Sequence, residues 1–262
     1  RCRVKIGEVD SAVVVRTAHH ALLYDTGPRY STHSDAGGRV LVPLLRALDA
    51  RLDVLLLSHR DSDHTGGAAA VLAQQPQAQL MGTIEDEHHL QTLRPVQPCV
   101  AGQQWQWDGV DFAVLHPLAT DVASGQRSRN PNTHSCVLRI STPQGAVALL
   151  AGDIEKPQER ALLERQAPLA ADVLLVPHHG SKTSSSGDFL DAVQPRVALV
   201  QAAYRSRFGH PAAPVMQRYH ERGIAVWESA HCGAATWQST DPAQVLCERE
   251  QQRRYWQHQM AP

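Results

Sequence analysis

Apolar residues come in short bursts along the chain, and their spacing predicts alternating strands and helices. Residues 3–24 alternate apolar with polar and are rich in Val, which predicts strands in a meander. Val40, Leu44 and Leu48 then recur at helical spacing within 39–50. The unbroken run Val54-Leu55-Leu56-Leu57 reads as a buried strand, and 68–74 as a helix. Residues 79–82 form a short predicted strand, and 84–93 an acidic helix carrying His88 and His89 on its surface. Residues 103–115 alternate around Asp108-Gly109, a hairpin signal, with Trp105 and Trp107 packed on one face. Further strands are expected at 136–140, 146–150, 173–176, 197–201, 225–227 and 234–237. Helices are expected at 157–165, 188–193 and 214–222, the last stopped by Gly223. The tail from Gln244 fits either strand or helix. This rhythm predicts an α/β fold with hairpins at both ends. With no internal linker or composition break, residues 1–262 are expected to form one domain.

Composition narrows the function. The chain is 42% apolar and 19% charged, enough to bury an ordinary core. Its net charge of −1 gives no global pull on polyanions, so any nucleic-acid site must rest on local Lys and Arg. Cys2, Cys99, Cys136, Cys232 and Cys247 are scattered and odd in number, which indicates neither a disulfide framework nor a thiolate zinc site. No run has the length of a membrane span, and no signal peptide is visible. The first residue is Arg rather than Met, so the chain is expected to be a domain excised from a larger protein.

The chemistry concentrates in His59-Arg60-Asp61-Ser62-Asp63-His64-Thr65-Gly66-Gly67, directly after the buried run. Imidazoles and carboxylates together suit divalent zinc, manganese or iron. Gly66 and Gly67 are expected to turn the backbone sharply into the next helix. The plainer reading is a polar strand end that caps that helix. Later strand ends carry further donors: Asp153 after 146–150, the pair His178-His179 after 173–176, and His210 after 197–201. By position alone Asp153 is as readily a turn or capping residue. Two adjacent imidazoles point apart, which sends His179 to the metals and leaves His178 to packing or hydrogen bonds. Ser181, Lys182, Thr183 and Ser184 offer hydroxyls, N–H groups and a cation suited to a phosphate. No P-loop and no convincing nucleophilic triad is present.

His59-x-Asp61-x-Asp63-His64-x-Gly66-Gly67 resembles the metal-binding signature of the metallo-β-lactamase superfamily. Asp61 stands where the commonest form has His, and the Asp form resembles the soluble domain of the ComEC family of bacterial DNA-uptake channel proteins. Tyr24-Asp25-Thr26-Gly27, Asn132-Thr133-His134-Ser135, Gly152-Asp153, Pro177-His178-His179-Gly180-Ser181-Lys182 and Phe208-Gly209-His210-Pro211 resemble further motifs of that family, in order. Ile6-Gly7-Glu8-Val9-Asp10 departs from it, with Val9 in place of a Gly. The resemblance implies a four-layer αββα sandwich and two divalent metals held by His59, Asp61, Asp63, His64, Asp153, His179 and His210. Asp153 would bridge them, and His134 is a weaker candidate. It also implies a parent protein in the bacterial inner membrane, with this domain on the periplasmic face beside a transmembrane channel.

Two divalent ions acidify water and clamp a phosphate, as phosphodiester hydrolysis requires. Asp61 makes the site harder, which favours manganese, with zinc or magnesium as alternatives. Asp63, Asp153, His179 and His210 are the catalytic candidates, with His179 or His210 protonating the leaving group if not a ligand. The expected function is a nuclease that degrades the non-imported DNA strand during competence, without an organic cofactor. Arg127, Arg129, Arg205 and Arg207 are expected to help hold the DNA. Rival readings are a hydrolase of small esters, lactones or phosphodiesters, a flavodiiron-like oxidoreductase, and a non-catalytic DNA-binding module.

Overall fold

The long apolar runs become the central strands of two sheets. The structure is a computed structural model that describes residues 1–6, 11–123 and 129–251. Among the described residues one large sheet has eight strands and the other seven, beside a small two-stranded sheet. In the first, Arg3–Ile6, Val13–Arg16 and Ala21–Tyr24 form the expected meander. Val54–Leu57, Gln79–Gly82 and Val96–Pro98 then add in parallel. In the second, an antiparallel half covering Gln104–Trp107, Val110–His116, Val137–Ser141 and Val147–Leu150 passes into a parallel half. That half adds Val173–Leu175, Val197–Val200 and Ala225–Glu228.

Strand parity assigns each side chain to a layer. Leu22, Tyr24, Val54 and Leu56 face the core between the sheets, with Phe112, Leu138, Leu150 and Leu199 from the other side. Their neighbours Leu23, Leu55 and Leu57 point outward, where Leu41, Leu45, Val71 and Leu72 cover them. On the other outer face Leu174 and Ala198 meet Leu162, Phe189, Val215 and Tyr219. Helices Lys156–Glu164, Gly187–Val193 and Ala213–Glu221 supply that cover. The arrangement is helix, sheet, sheet, helix: the four-layer αββα sandwich.

Three expectations change. The acidic helix shrinks to Leu90–Leu93. Only Ile84 and Leu90 are buried in that stretch, a spacing that does not return to one helix face, and turns carry the residues between them. The ambiguous tail becomes the strand Asp241–Cys247 and a short helix, Glu248–Gln251. Cysteines do pair: Cys99 with Cys136 and Cys232 with Cys247, with Cα atoms 6.1 and 4.7 Å apart. The partners, 37 and 15 residues apart, meet only once the strands between them pair, so no spacing rule could signal them. Cys2 is buried and free. Trp105 stacks on Phe112 at 5.1 Å, as the hairpin parity suggested. Among the described residues, no helix is long and apolar enough to cross a membrane.

Candidate metal centre

The site residues leave the carboxyl ends of parallel strands, where open α/β sheets present loops to ligands. Asp25 follows Ala21–Tyr24, His59 follows Val54–Leu57, and Asp153 follows Val147–Leu150. His178 and His179 follow Val173–Leu175, and His210 lies in the loop after Val197–Val200. Beyond His59 the chain enters a one-turn helix, Ser62–Thr65, with Asp61 at its N-cap. The Asp61 side chain makes no capping hydrogen bond, and Gly67, the cap of Ala68–Gln74, has none to make. The polar cluster is therefore not spent on helix caps.

Gly66 and Gly67 serve close packing rather than a sharp turn, since both are right-handed, with φ −58° and −91°. A Cβ on Gly67 would lie 2.4 Å from Gly37 N and 2.5 Å from Thr26 O. The ligand loop is thereby pressed against the turn that carries Asp25. Gly152 has φ +55°, and a Cβ there would meet Tyr24 Oη at 2.8 Å. Its absence lets Asp153 enter the site.

Among the described residues two donor groups result: His59, His64 and Asp153, and Asp63, His64 and His179, with ligand atoms within 4.8 Å of one another in each. Asp153 Oδ2 lies 3.3 Å from His64 Nε2 and 3.4 Å from His179 Nε2. Asp63 Oδ2 lies 3.6 Å from His179 Nε2 and 3.8 Å from His64 Nε2. Asp61 Oδ2 lies 3.6 Å from His59 Nε2. His59 Nε2 and His179 Nε2 are buried without a hydrogen-bond partner. Buried polar atoms are rarely left so, and orphaned imidazole nitrogens facing carboxylates fit a divalent cation.

Neighbouring groups fix each ring. His64 Nδ1–H donates to Asp25 Oδ2 at 2.8 Å. Asp25 is itself held by the Ser58 N–H at 2.6 Å and the Ser58 hydroxyl at 2.7 Å. His179 Nδ1–H donates to the Gln201 carbonyl at 2.8 Å. Ser58 Oγ and Ser135 Oγ lie 3.0 and 3.4 Å from His59 Nδ1. Ser135 Oγ also accepts the Asp153 N–H at 3.1 Å. Such bonds leave Nε2 as the outward nitrogen. Asp25, Ser58, Ser135 and Gln201 were not among the expected site residues, although the Asp25-Thr26-Gly27 and Asn132-x-x-Ser135 motifs marked two of these places.

The charges are strongly coupled. Burial alone would lower His64, but Asp153 and Asp25 override it and hold the imidazole well above its ordinary value. His179 is likewise opposed by burial yet raised to about 10 by Asp153 and Asp63. Burial would raise Asp63, but His179 and His64 bring it down to about 2. Asp153 is buried and, by the same imidazoles, held well below the carboxylate range.

The remaining candidates separate. His210 lies outside both donor groups, its ring stacked at 6.2 Å from His179. Burial and the neighbouring His179 and His178 lower its pKa. His178 Nε2 is 3.8 Å from Asp153 Oδ2, and its Nδ1 faces Thr183 Oγ1 at 3.2 Å. Both His178 and His179 adopt left-handed backbone, φ 50° and 54°, the kind of local strain found at functional sites. His134 lines a different depression with Glu85, His88 and His89, away from both groups. Lys182 and Thr183 are exposed, and Ser181 Oγ lies 3.1 Å from Thr183 Oγ1. Ser184, expected to face substrate, is instead fully buried, with its hydroxyl donated to the Pro177 carbonyl at 2.8 Å and the Ser181 carbonyl at 3.0 Å. Val9 and Arg127 lie outside the described residues. A cleft of about 670 Å³ opens beside the centre, with Asp61, Asp63, His179 and His210 in its lining and Arg29, Arg205 and Arg207 beside them.

Fold and donor set are those of an αββα sandwich with a candidate divalent-metal centre at its strand ends. The chain belongs to the metallo-β-lactamase superfamily, whose family model matches residues 7–203. It is 37% identical over 233 residues to competence protein ComA of Neisseria gonorrhoeae, covering 85% of this chain and 30% of that protein. It is 34% identical over 250 residues to protein YcaI of Escherichia coli K12, covering 95% and 31%. Recombination protein 2 of Haemophilus influenzae is 33% identical over 228 residues, covering 87% and 27%. The chain thus spans about a third of the length of these curated relatives. Among solved structures, the fold resembles the metallo hydrolase Igni18 of Ignicoccus hospitalis, with TM-score 0.57, 18% identity and coverage of 90% and 99%. The metallo-β-lactamase fold protein YhfI of Bacillus subtilis gives TM-score 0.55, 15% identity and coverage of 87% and 96%.

Proposed function

We propose that this chain is a divalent-metal-dependent nuclease that hydrolyses DNA phosphodiester bonds within a larger DNA-uptake protein. One observation carries the reading. Converging imidazoles and carboxylates border a cleft that also presents Arg29, Arg205 and Arg207, in a chain whose net charge is only −1. Local cations beside a metal-type centre suit a polyanion, which the chain as a whole does not attract. The names of the relatives, competence protein and recombination protein, agree with DNA as the partner.

His59, His64 and Asp153 would hold one ion and Asp63, His64 and His179 border the place of a second, with Asp61 beside His59 as a further donor. When bound, divalent ions supply acidified water and draw charge from phosphoryl oxygens. The side chains do the rest. Asp25 and the Gln201 carbonyl keep His64 and His179 aimed inward. His210, outside the donor groups, lines the cleft beside Asp63 and His179, where its imidazole is placed to exchange a proton with the substrate. Lys182 and Thr183 form an exposed polar edge next to His178 for a neighbouring phosphate, with Ser181 buried behind Thr183.

The two disulfides support an oxidising compartment, and so the outer face of the membrane for this part of the parent protein. The test of function is direct. Chelated protein is reloaded with manganese, magnesium or zinc and offered DNA, a lactone and a small ester. DNA cleavage is expected. Efficient ester or lactone hydrolysis with DNA intact under all three ions would replace the reading with a small-molecule hydrolase.

A further inference from the structure

We propose that Phe208 is a stacking platform for an unpaired base beside the phosphate being cleaved, so that this residue selects single-stranded over paired nucleic acid. The inference rests on the nuclease reading above and adds to it a specificity residue. Phe208 is 68% exposed, although it shares the cleft with Asp63, His179 and His210. A ring of that exposure adds little to the core. The guanidinium of its neighbour Arg207 lies 4.7 Å from the ring centroid.

The rings also form a series leading out of the metal centre. His210 lies 6.2 Å from His179 with planes 16° apart, and Phe208 lies 6.0 Å from His210 at 31°. A base stacked on Phe208 would therefore extend outward a series of rings that begins at His179. Phosphodiesters further along the same strand would then lie toward Asp63 and His179, which line the same cleft. Arg205 and Arg207 come from the same loop, and Arg29 and Tyr30 line the cleft with them. Tyr30 is 50% exposed, with Arg39 at 5.8 Å from its ring. Aromatic faces interleaved with arginines are the means by which proteins hold single strands: bases stack while cations follow the backbone. A duplex cannot use such a platform, because both faces of each base are already stacked inside the helix. The composite surface thus discriminates by base exposure rather than by sequence.

The experiment measures binding by the manganese-loaded full chain to short oligothymidylates with cleavage-resistant phosphorothioate links. Wild type, Phe208→Ala and Phe208→Trp are compared on intact strands, on strands made abasic at one position in turn, and on a hairpin duplex. Phe208→Ala should weaken the intact strand about tenfold or more. At one abasic position wild type should show the same loss, and Phe208→Ala should lose nothing further there. Phe208→Trp should restore binding, and wild type should prefer strand to duplex. Equal loss from Phe208→Ala on intact and abasic strands, or no loss at all, would overturn the inference, as would a duplex bound as tightly as the strand. The exposed position lets the variants fold, which thermal melting checks. A parallel DNA-cleavage assay separates the two readings. Cleavage without the stacking signature removes Phe208 alone, whereas the signature without cleavage removes the nuclease reading and leaves a base-binding cleft.

Discussion

His64 donates Nδ1–H to Asp25 Oδ2 at 2.8 Å, and its other nitrogen is thereby left 3.3 Å from Asp153 Oδ2. The buried carboxylate sets tautomer and ring direction together. Asp25→Ala should reduce divalent-metal affinity about 10- to 100-fold while His64 itself is unchanged. Competition against a chromophoric chelator measures this. Wild-type affinity in the variant would show that the ring needs no such partner.

Removing donors should have a harsher effect than removing their supports. Asp63→Ala and Asp153→Ala are expected to lower the number of bound ions, read by elemental analysis of folded protein. Asp153 is the more severe case, because its Oδ2 faces both His64 and His179. Full metal content in both variants would sink a two-ion centre.

Asp61 argues for the identity of the ion. It supplies oxygen beside His59, with Oδ2 3.6 Å from Nε2. Oxygen donors shift preference from zinc toward manganese or magnesium. Protein reloaded with manganese should therefore turn over DNA faster than protein reloaded with zinc, and Asp61→His should narrow that gap. Zinc alone restoring full turnover would count against the argument.

The parts of this molecule fixed by local pattern were readable in sequence. Val54–Leu57 had to be a buried strand, because four consecutive apolar residues satisfy both faces of a sheet. Its polar sequel held donor types too dense for an ordinary turn. What sequence could not supply were relationships across the fold. Cys99 meets Cys136 only after the sandwich closes, and Asp25 reaches His64 only because neighbouring strands pair in parallel. Ser184 and His134 have suitable chemistry, but one is turned into its own loop and the other into a separate depression. Phe208 looked like part of a loop motif, and only its exposure and ring geometry distinguish it.

The disulfides should contribute unequally to site and stability. Cys99–Cys136 closes a separation of 37 residues and Cys232–Cys247 one of 15. Loop-entropy reasoning gives roughly 4 and 3 kcal/mol respectively. Cys99→Ala with Cys136→Ala should lower the denaturant midpoint and also weaken metal binding, because Ser135 next to Cys136 supports both His59 and Asp153. Cys232→Ala with Cys247→Ala should lower the midpoint alone. Denaturant titration beside metal titration distinguishes the pairs. Equal effects on metal affinity would dismiss the link through Ser135.

The coupled charges give opposite pH trends for folding and for metal binding. In protein stripped of metal, His179 is raised from 6.5 to about 10. Its stabilising contribution is complete below the unfolded value and disappears as pH climbs through about 10. His64 is shifted the same way by Asp153 and Asp25, against its burial. Asp63, lowered from 3.8 to about 2, contributes above its unfolded value and loses that contribution as pH falls through about 2. These groups together stabilise the stripped protein most between about pH 4 and 6.5, with a decline toward pH 10. Metal ligation runs the other way. Neutral imidazoles are required, so His64 and His179 must give up protons as ions bind, and affinity should rise over that same alkaline range. Thermal melts of stripped protein at pH 6 and 9 should show the melting temperature falling. Calorimetric metal titrations in buffers of different ionisation enthalpy should show proton release and tighter binding at the higher pH. Metal binding without proton release at pH 7 would mean that His64 and His179 are not the nitrogens that receive the metal.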